Sequence, residues 1–310
     1  MTALTTSVVV ATHRRPELLR AAVRSILSQD CCGPVECVVV YDRCEPEIGL
    51  AQEFAPLGPD RSLVVIANDR TPGLAGARNA GVAASSGQLL AFCDDDDSWR
   101  PDKLSRQIAL LQQGNHDLVV CGIEIRYGTG KQERTHVRIP RQEDLTLAEL
   151  ARRRVMEAHP STVLVTREAF ARIGEVDEKL PGSYAEDYDW MLRAVAHSSV
   201  GTVPEPLVHV LWHRGSYFAD RWQTIIDALD YCVDKHPALR NSSRGLSRIY
   251  GQKAFAYAAL GQRADARRWA IRSLRLHPTE QRSYLAILVS ARVVSAATVL
   301  HLAHTAGRGI

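Results

Sequence analysis

The sequence predicts an α/β protein, a Rossmann-like, mostly parallel sheet flanked by helices, followed by an α-helical C-terminal region. Three observations carry this reading. Short β-branched apolar runs recur with helical segments between them, carboxylates stand at the ends of those runs, and from Asp220 onward the pattern is almost wholly helical. The 310 residues allow two domains or one large one, and 45% apolar side chains suffice for a buried core. With 24% charged residues, near the soluble average, the chain is not collagen-like, low-complexity or a disulfide scaffold.

Taken in order, Ser7 to Ala11 is a continuous apolar run, the form of a strand buried on both faces, and Pro16 to Leu27 follows with helical periodicity. Pro16 suits the first turn of that helix. Val35 to Tyr41 is a second strand with Asp42 at its end, and Ser62 to Ala67 a third. Thr71-Pro-Gly-Leu-Ala-Gly-Ala-Arg-Asn-Ala-Gly81 supplies small residues that let a loop and helix start approach a ligand closely. A fourth strand, Gln88 to Cys93, runs into Asp94-Asp-Asp-Asp97-Ser-Trp-Arg-Pro101, which sets four carboxylates at the C-terminal edge of a parallel sheet, where open α/β sheets bind ligands.

Beyond that edge, Pro101 to Gln113 reads as a helix, Asp117 to Tyr127 as a strand or two, and Gly128 to Arg141 as a polar excursion with hairpin character. Ala158 to Thr166 reads as a strand and Arg167 to Gly174 as a short helix closed by glycine. Tyr184 to Arg193 opens a helix with acidic residues in its first turn, where the helix dipole favours them. Pro204 and Pro206 are expected to end the regular α/β part, so the chain divides into a domain over 1–217 and a helical region over 218–310. Within the latter, Ala254 to Pro278 resembles one tetratricopeptide-type hairpin, too little for a solenoid.

Charge is uneven. Residues 240–310 hold twelve Lys and Arg against two Asp and Glu, while residues 1–239 hold 26 against 33. The basic stretch suits an anionic lipid surface, although five lysines against 33 arginines also point to an arginine-rich composition with solvated helix faces. Tyr284 to Ala303 is apolar but carries Arg292 in its middle, which favours a packed or interfacial helix over a membrane span. No secretory leader is evident near Met1, and seven cysteines without disulfide or zinc spacing suit a reducing cytosol. The expected location is cytoplasmic, peripheral on the inner face of the membrane.

Four successive aspartates repel one another, and solvent, protonation or a cation must relieve them. A solvated acidic turn would do so. Because this run ends an apolar strand and precedes Trp99, a hard divalent cation, Mn²⁺ or Mg²⁺, is the favoured partner.

Five motifs in order then resemble family 2 glycosyltransferases, the inverting enzymes of GT-A fold: Ser7 to Leu19, the strand ending at Asp42, Gly76-Ala-Arg-Asn-Ala-Gly81, Phe92 to Pro101, and Glu186-Asp-Tyr-Asp-Trp-Met-Leu-Arg193. The resemblance spans about residues 5–215. It implies a nucleotide-sugar donor, with a UDP-sugar expected, a divalent metal, a hydroxyl acceptor and no nucleic-acid partner. Carried over by position, it implies that Ala11 and Thr12 line the base and ribose pocket, that Asp42 accepts a hydrogen bond from the base, and that Arg78 contacts the nucleotide. The family's Asp-x-Asp falls on Asp94 and Asp96 with Asp95 between, Asp96 being the direct metal ligand and Asp94 holding ribose or a metal-bound water. The Glu-Asp pair falls on Glu186, expected to bind acceptor, and Asp187, the expected general base, whose plainer role would be first-turn dipole stabilisation. Asp189 and Arg193 are expected to brace that helix. His213 falls where relatives carry a metal- or diphosphate-reaching histidine, though a surface histidine would look the same. Trp190 and Trp212 would stack on an acceptor ring or fill core.

His13, Arg14, Tyr41, Arg43 and Cys44 depart from the residues usual at these places. Two other readings stand beside this one. A sugar-phosphate nucleotidyltransferase would want a Gly-rich, basic loop near the N-terminus, which is absent, and a catalytically silent GT-A scaffold would not need Asp96 and Asp187.

Overall fold

The computed structural model describes residues 4–55, 58–127, 134–212 and 221–305. Its strands are β1 (Thr6–Thr12), β2 (Val35–Tyr41), β3 (Arg61–Ala67), β4 (Leu89–Asp94), β5 (Ser98–Trp99), β6 (Leu118–Tyr127), β7 (Arg134–Arg138), β8 (Leu164–Thr166) and β9 (Val200–Trp212). They form one sheet in the order β3-β2-β1-β4-β8-β6-β9-β5, with β7 paired to β6. The half from β3 to β4 is parallel. Beyond β4 the sheet is mixed: β8 is antiparallel to both β4 and β6, and β9 is parallel to β6.

Helices α1 (Pro16–Leu27), α2 (Leu50–Phe54), α3 (Leu74–Ala84), α4 (Lys103–Leu111), α5 (Leu147–Arg152), α6 (Arg167–Ile173) and α7 (Glu186–His197) belong to the α/β part. Alternate residues of β1 explain its unbroken apolar run. Val8 and Val10 enter a core shared with Leu19, Val23 and Ile26 of α1 and Leu104 of α4, whereas Val9 faces a second core with Ala77 of α3, Phe170 of α6 and Leu192 of α7. Burying each such valine contributes about 1.5–3 kcal/mol, which selects this register over a one-residue slip.

Two sequence expectations are corrected here. Pro204 and Pro206 do not end the sheet, because β9 runs through both. The pairing with β6 steps from Cys121↔Val203 to Gly122↔Pro206 and then Ile123↔Val208, and the irregularity absorbs the missing amide donors. The predicted strand from Ala158 is mostly a 3₁₀ turn, Pro160–Thr162, leaving only Leu164–Thr166 as β8. There the Thr162 carbonyl accepts from the Gln107 side chain (2.8 Å).

The C-terminal helices are α8 (Trp222–Lys235), α9 (Pro237–Asn241), α10 (Ser243–Ala259), α11 (Arg263–Leu276), α12 (Gln281–Ser290) and α13 (Ala296–Thr305). Ile225, Ala228, Leu229 and Leu239 of α8 and α9 share the core that holds Val9 and Phe92. From Ala254 onward a separate cluster forms around Phe255 with Ala266, Ala270 and Ala286, whose small side chains let α10, α11 and α12 approach closely. A short turn joins α10 to α11, with Gly261 at φ 75° in it. Tyr284 to Ala303 is divided between α12 and α13, and no helix among the described residues is long and apolar enough to cross a membrane.

Candidate active site at the carboxyl edge of the sheet

β1, β2 and β4 end side by side, with Ala11 opposite both Val40 and Asp94. A cleft of about 430 Å³ opens beyond them, lined on one side by Thr12, Asp42 and Asp94 to Asp97 and on the other by Ile123, Ile125, Val210 and Leu211. Arg14 and Arg43, just after β1 and β2, and Ser183 and Ala185, just before α7, all hold φ between 54° and 63°. Non-glycine residues in that region cost free energy, so strain is concentrated at this edge. Two glycines are required by close approach: a Cβ on Gly73 (φ 126°) would meet Ser183 Oγ at 2.7 Å, and one on Gly76 would meet the Thr71 carbonyl oxygen at 1.9 Å. The start of α3 can therefore lie against the cleft.

The aspartate run fans out into different partners. Asp94 accepts from Arg78 Nη2 (2.7 Å). Asp95 accepts from the Thr12 hydroxyl (2.7 Å) and from Arg15 Nη1 (3.2 Å). Asp96 also accepts from Arg15 Nη1, at 2.7 Å. Asp97 accepts from Ser161 Oγ (2.5 Å), the oxygen to which the Asp94 amide donates (3.0 Å). Burial, with Asp96 and Asp94 nearby, pushes Asp95 up to about 6 against the opposing effects of Thr12 and Arg15. Burial, then Asp94 and Asp96, raises Asp97 well above the carboxylate range. His159 lies across this pair, its Nε2 3.7 Å from Asp94 and its Nδ1 3.5 Å from Asp97.

A second set of charges sits at the start of α7. Arg78, buried on α3, donates to both Asp94 and Glu186 and so joins β4 to α7. Burial, helped by Asp187 and Asp94, raises Glu186 although Arg78 opposes it. Asp187 accepts from Arg154 Nη2 at 2.6 Å. Burial would raise its carboxyl too, but Arg154, Arg78 and His159 outweigh burial and hold it below the ordinary value. Two neighbouring acids are thus driven apart: Glu186, though paired with Arg78, is pushed up to about 7, while Asp187 is held ionised. Further along α7, Asp189 accepts from Arg193 and His236 and pairs with Lys235 (2.7 Å), which fastens α7 to α8 and α9 as a brace.

The structure gathers Ala11, Thr12, Asp42, Asp94, Asp95 and Asp96 around one cleft and ties Arg78, Glu186 and Asp187 to it through Asp94. Asp42 is held by Asn68 (2.9 Å) and the Gly73 amide (3.0 Å), and the Thr12 hydroxyl is engaged by Asp95. Trp190 is corrected. At 4% exposure it packs between Phe92 and Phe170, its indole N–H donating to the Gly174 carbonyl (3.0 Å), so it fills core and no acceptor ring can stack on it. Trp212 ends β9, and His213 lies outside the described residues. Arg15, Asp97, His159 and Arg154 were not singled out by sequence reasoning. Asp97 alone had a signal, as the last member of the aspartate run.

The donor set at the end of β4 fits a divalent cation. Among the described residues, one ligand atom each of Asp94, Asp97 and His159 lie within 4.8 Å of one another, whereas Asp96 is paired with Arg15. Carboxylates with an imidazole suit Mn²⁺, and a cation would relieve the buried Asp97 beside Asp94.

Fold and site together define a glycosyltransferase of GT-A fold. The description Glycosyl transferase family 2 matches residues 7–174, and the chain belongs to that family. It is 26% identical over 238 residues to an uncharacterized glycosyltransferase of Haemophilus influenzae, covering 73% of this chain and 74% of that one. It is 33% identical over 141 residues to the succinoglycan biosynthesis protein ExoO of Rhizobium meliloti, covering 45% of this chain but only 39% of the relative's length. Among solved structures, S. aureus TarS 1–349 in complex with UDP-GlcNAc superposes with TM-score 0.59 at 16% identity, covering 94% of this chain and 91% of that one. The mannosyltransferase PcManGT of Pyrobaculum calidifontis, in complex with GDP-Man and Mn²⁺, gives 0.55 at 17% identity, covering 96% and 87%.

Proposed function

We propose that this glycosyltransferase transfers a sugar with inversion from a nucleoside diphosphate, UDP in the first instance, to an acceptor hydroxyl. The carrying observation is that Asp187, held ionised by Arg154, is linked through Glu186 and Arg78 to Asp94 at the cleft. The nucleoside would lie along Ala11, Thr12 and Asp42 at the ends of β1 and β2. Solved structures that share this fold are in complex with UDP-GlcNAc, UDP or GDP-Man, the last together with Mn²⁺.

Asp94, Asp97 and His159 would hold the Mn²⁺ or Mg²⁺, with Asp96 joining them if Arg15 releases it. Bound there, the ion would supply positive charge to the departing diphosphate. Asp187 takes the proton from the acceptor hydroxyl as that oxygen attacks the anomeric carbon and the bond from this carbon to the diphosphate breaks, and Glu186, buried and paired with Arg78, fixes the start of α7 on which Asp187 stands. Arg78 fixes both ends of this arrangement because its guanidinium is already spent on Asp94 and Glu186. In this reading residues 1–217 form the catalytic domain and 218–310 a helical region whose basic faces rest on an anionic membrane surface, at its cytoplasmic side.

The test is incubation with UDP-glucose and UDP-N-acetylglucosamine in Mn²⁺, with UDP release followed as candidate hydroxyl acceptors are added. Acceptor-stimulated release and a β-linked product from the α-linked donor support the proposal; an α-linked product overturns the single displacement.

A further inference from the structure

Beside Asp187, three arginines from three parts of the chain converge on two tyrosines. Arg154, after α5, donates to Asp187, and its guanidinium carbon lies 5.9 Å from the ring centroid of Tyr188. Arg248, on α10, lies 5.4 Å from the same centroid and donates to the Tyr188 hydroxyl at 3.1 Å, while that hydroxyl donates to the Leu150 carbonyl (2.6 Å). The charges of Arg154, Arg248 and Arg282, together with that of Asp187, all bear on the Tyr184 hydroxyl.

Arg154 has Asp187 as its counter-ion, and Arg282, on α12, has Glu280 at 2.9 Å. Arg248 is different. Its other contact is Gln252 (3.4 Å), and among the described residues no carboxylate pairs with it. Nε of Arg248 and Nε of Arg282 are buried with no hydrogen-bond partner among the described residues. Burial, with Arg282 and Arg154 close by, weakens Arg248's hold on its proton, the mark of an uncompensated cation. An ion left half-buried with neutral partners and like-charged neighbours is costly unless something anionic completes it. Guanidinium groups recognise phosphate through paired, planar donors, and each of these side chains is half-buried and so reachable from solvent.

We propose that Arg248, Arg282 and Arg154 form a phosphate-binding subsite for the acceptor, so that the hydroxyl delivered to Asp187 belongs to a compound that carries a phosphate. This rests on the glycosyltransferase reading and gives the C-terminal helices a task, since α10 and α12 bring two of the three arginines to the acceptor side. The phosphate belongs to a sugar or polyol phosphate or to a lipid diphosphate.

The test is calorimetric titration of the full chain with inorganic phosphate, free of metal, and in a separate titration with UDP in the presence of Mn²⁺. Wild type is expected to bind phosphate with a millimolar Kd, and Arg248→Gln and Arg282→Gln to bind it about tenfold or more weakly, the scale of one lost charge-assisted contact, with UDP affinity unchanged. Arg248→Lys, which keeps the charge but loses the paired planar donors, should bind phosphate more weakly than wild type and more tightly than Arg248→Gln, which separates lost charge from a disturbed α10. Phosphate that does not bind wild type, or that binds both glutamine variants as tightly as wild type, overturns the subsite. If phosphate binds in this pattern while no nucleotide binds, the subsite stands and the donor reading fails. Glycerol 3-phosphate and a short-chain isoprenyl diphosphate, titrated in competition, then identify the source by whichever displaces phosphate more tightly; displacement by neither counts against the proposal.

Discussion

Arg78 and Glu186 form a buried ion pair, their side chains 5% and 6% exposed, that locks the start of α7 onto α3, while the second arm of Arg78 holds Asp94 at the end of β4. One guanidinium therefore sets the spacing between the aspartates at the end of β4 and the acid pair at the start of α7. Removing it leaves the buried Glu186 carboxylate without its counter-ion. Arg78→Met is expected to destabilise the fold by about 3–5 kcal/mol, the cost of breaking a buried pair, which urea unfolding would read directly. A loss within ~1 kcal/mol would mean that the pair is not structural.

Asp187 is the group whose removal should separate chemistry from binding. Asp187→Asn is expected to keep donor affinity and lose roughly 10²-fold or more in kcat, the scale of a lost general base. Normal turnover by this variant would move the base elsewhere.

Arg154 should act on the same step through Asp187. Burial tends to raise the Asp187 carboxyl, and Arg154 is the largest influence opposing it, so Arg154→Gln removes the main cause of its depression. The acidic limb of the kcat profile is then expected to move to higher pH. An unmoved limb would show that Arg154 does not tune the base.

Asp95 predicts a pH dependence of stability in metal-free protein. Its folded-state value of about 6 lies above the ordinary 3.8, so the folded chain holds the proton more tightly than the unfolded chain does. That stabilisation is complete below pH 3.8 and is lost as pH rises through about 6. Wild type should therefore lose about 3 kcal/mol relative to Asp95→Asn across this window, at 1.36 kcal/mol per unit. Parallel stability curves for the two proteins would contradict it.

Much of this was legible in the sequence because it is local. The α1 bounds Pro16–Leu27 and the β2 bounds Val35–Tyr41 follow from periodicity and a first-turn proline, and the aspartate run at a strand end marks the cleft. What escaped depends on contacts distant in the chain. His159 precedes a 3₁₀ turn with no motif around it, and only the fold carries it to Asp94 and Asp97. Arg154 reaches Asp187 across 33 residues, and the Trp190 indole is buried because α6 and β4 supply Phe170 and Phe92 as neighbours. Pro204 and Pro206 misled because a proline rule written for regular ladders does not see a bulge.

In the proposed function a metal held by Asp94, Asp97 and His159 completes a nucleoside diphosphate site. This is tested most directly by calorimetric titration of the protein with UDP, GDP, dTDP and CMP, with and without Mn²⁺, in wild type and in Asp97→Asn and Asp96→Asn. Tight binding of UDP that depends on Mn²⁺ and weakens about tenfold or more in both variants is the predicted result. No nucleotide binding by folded wild-type protein, or binding indifferent to both Mn²⁺ and Asp97, would contradict it.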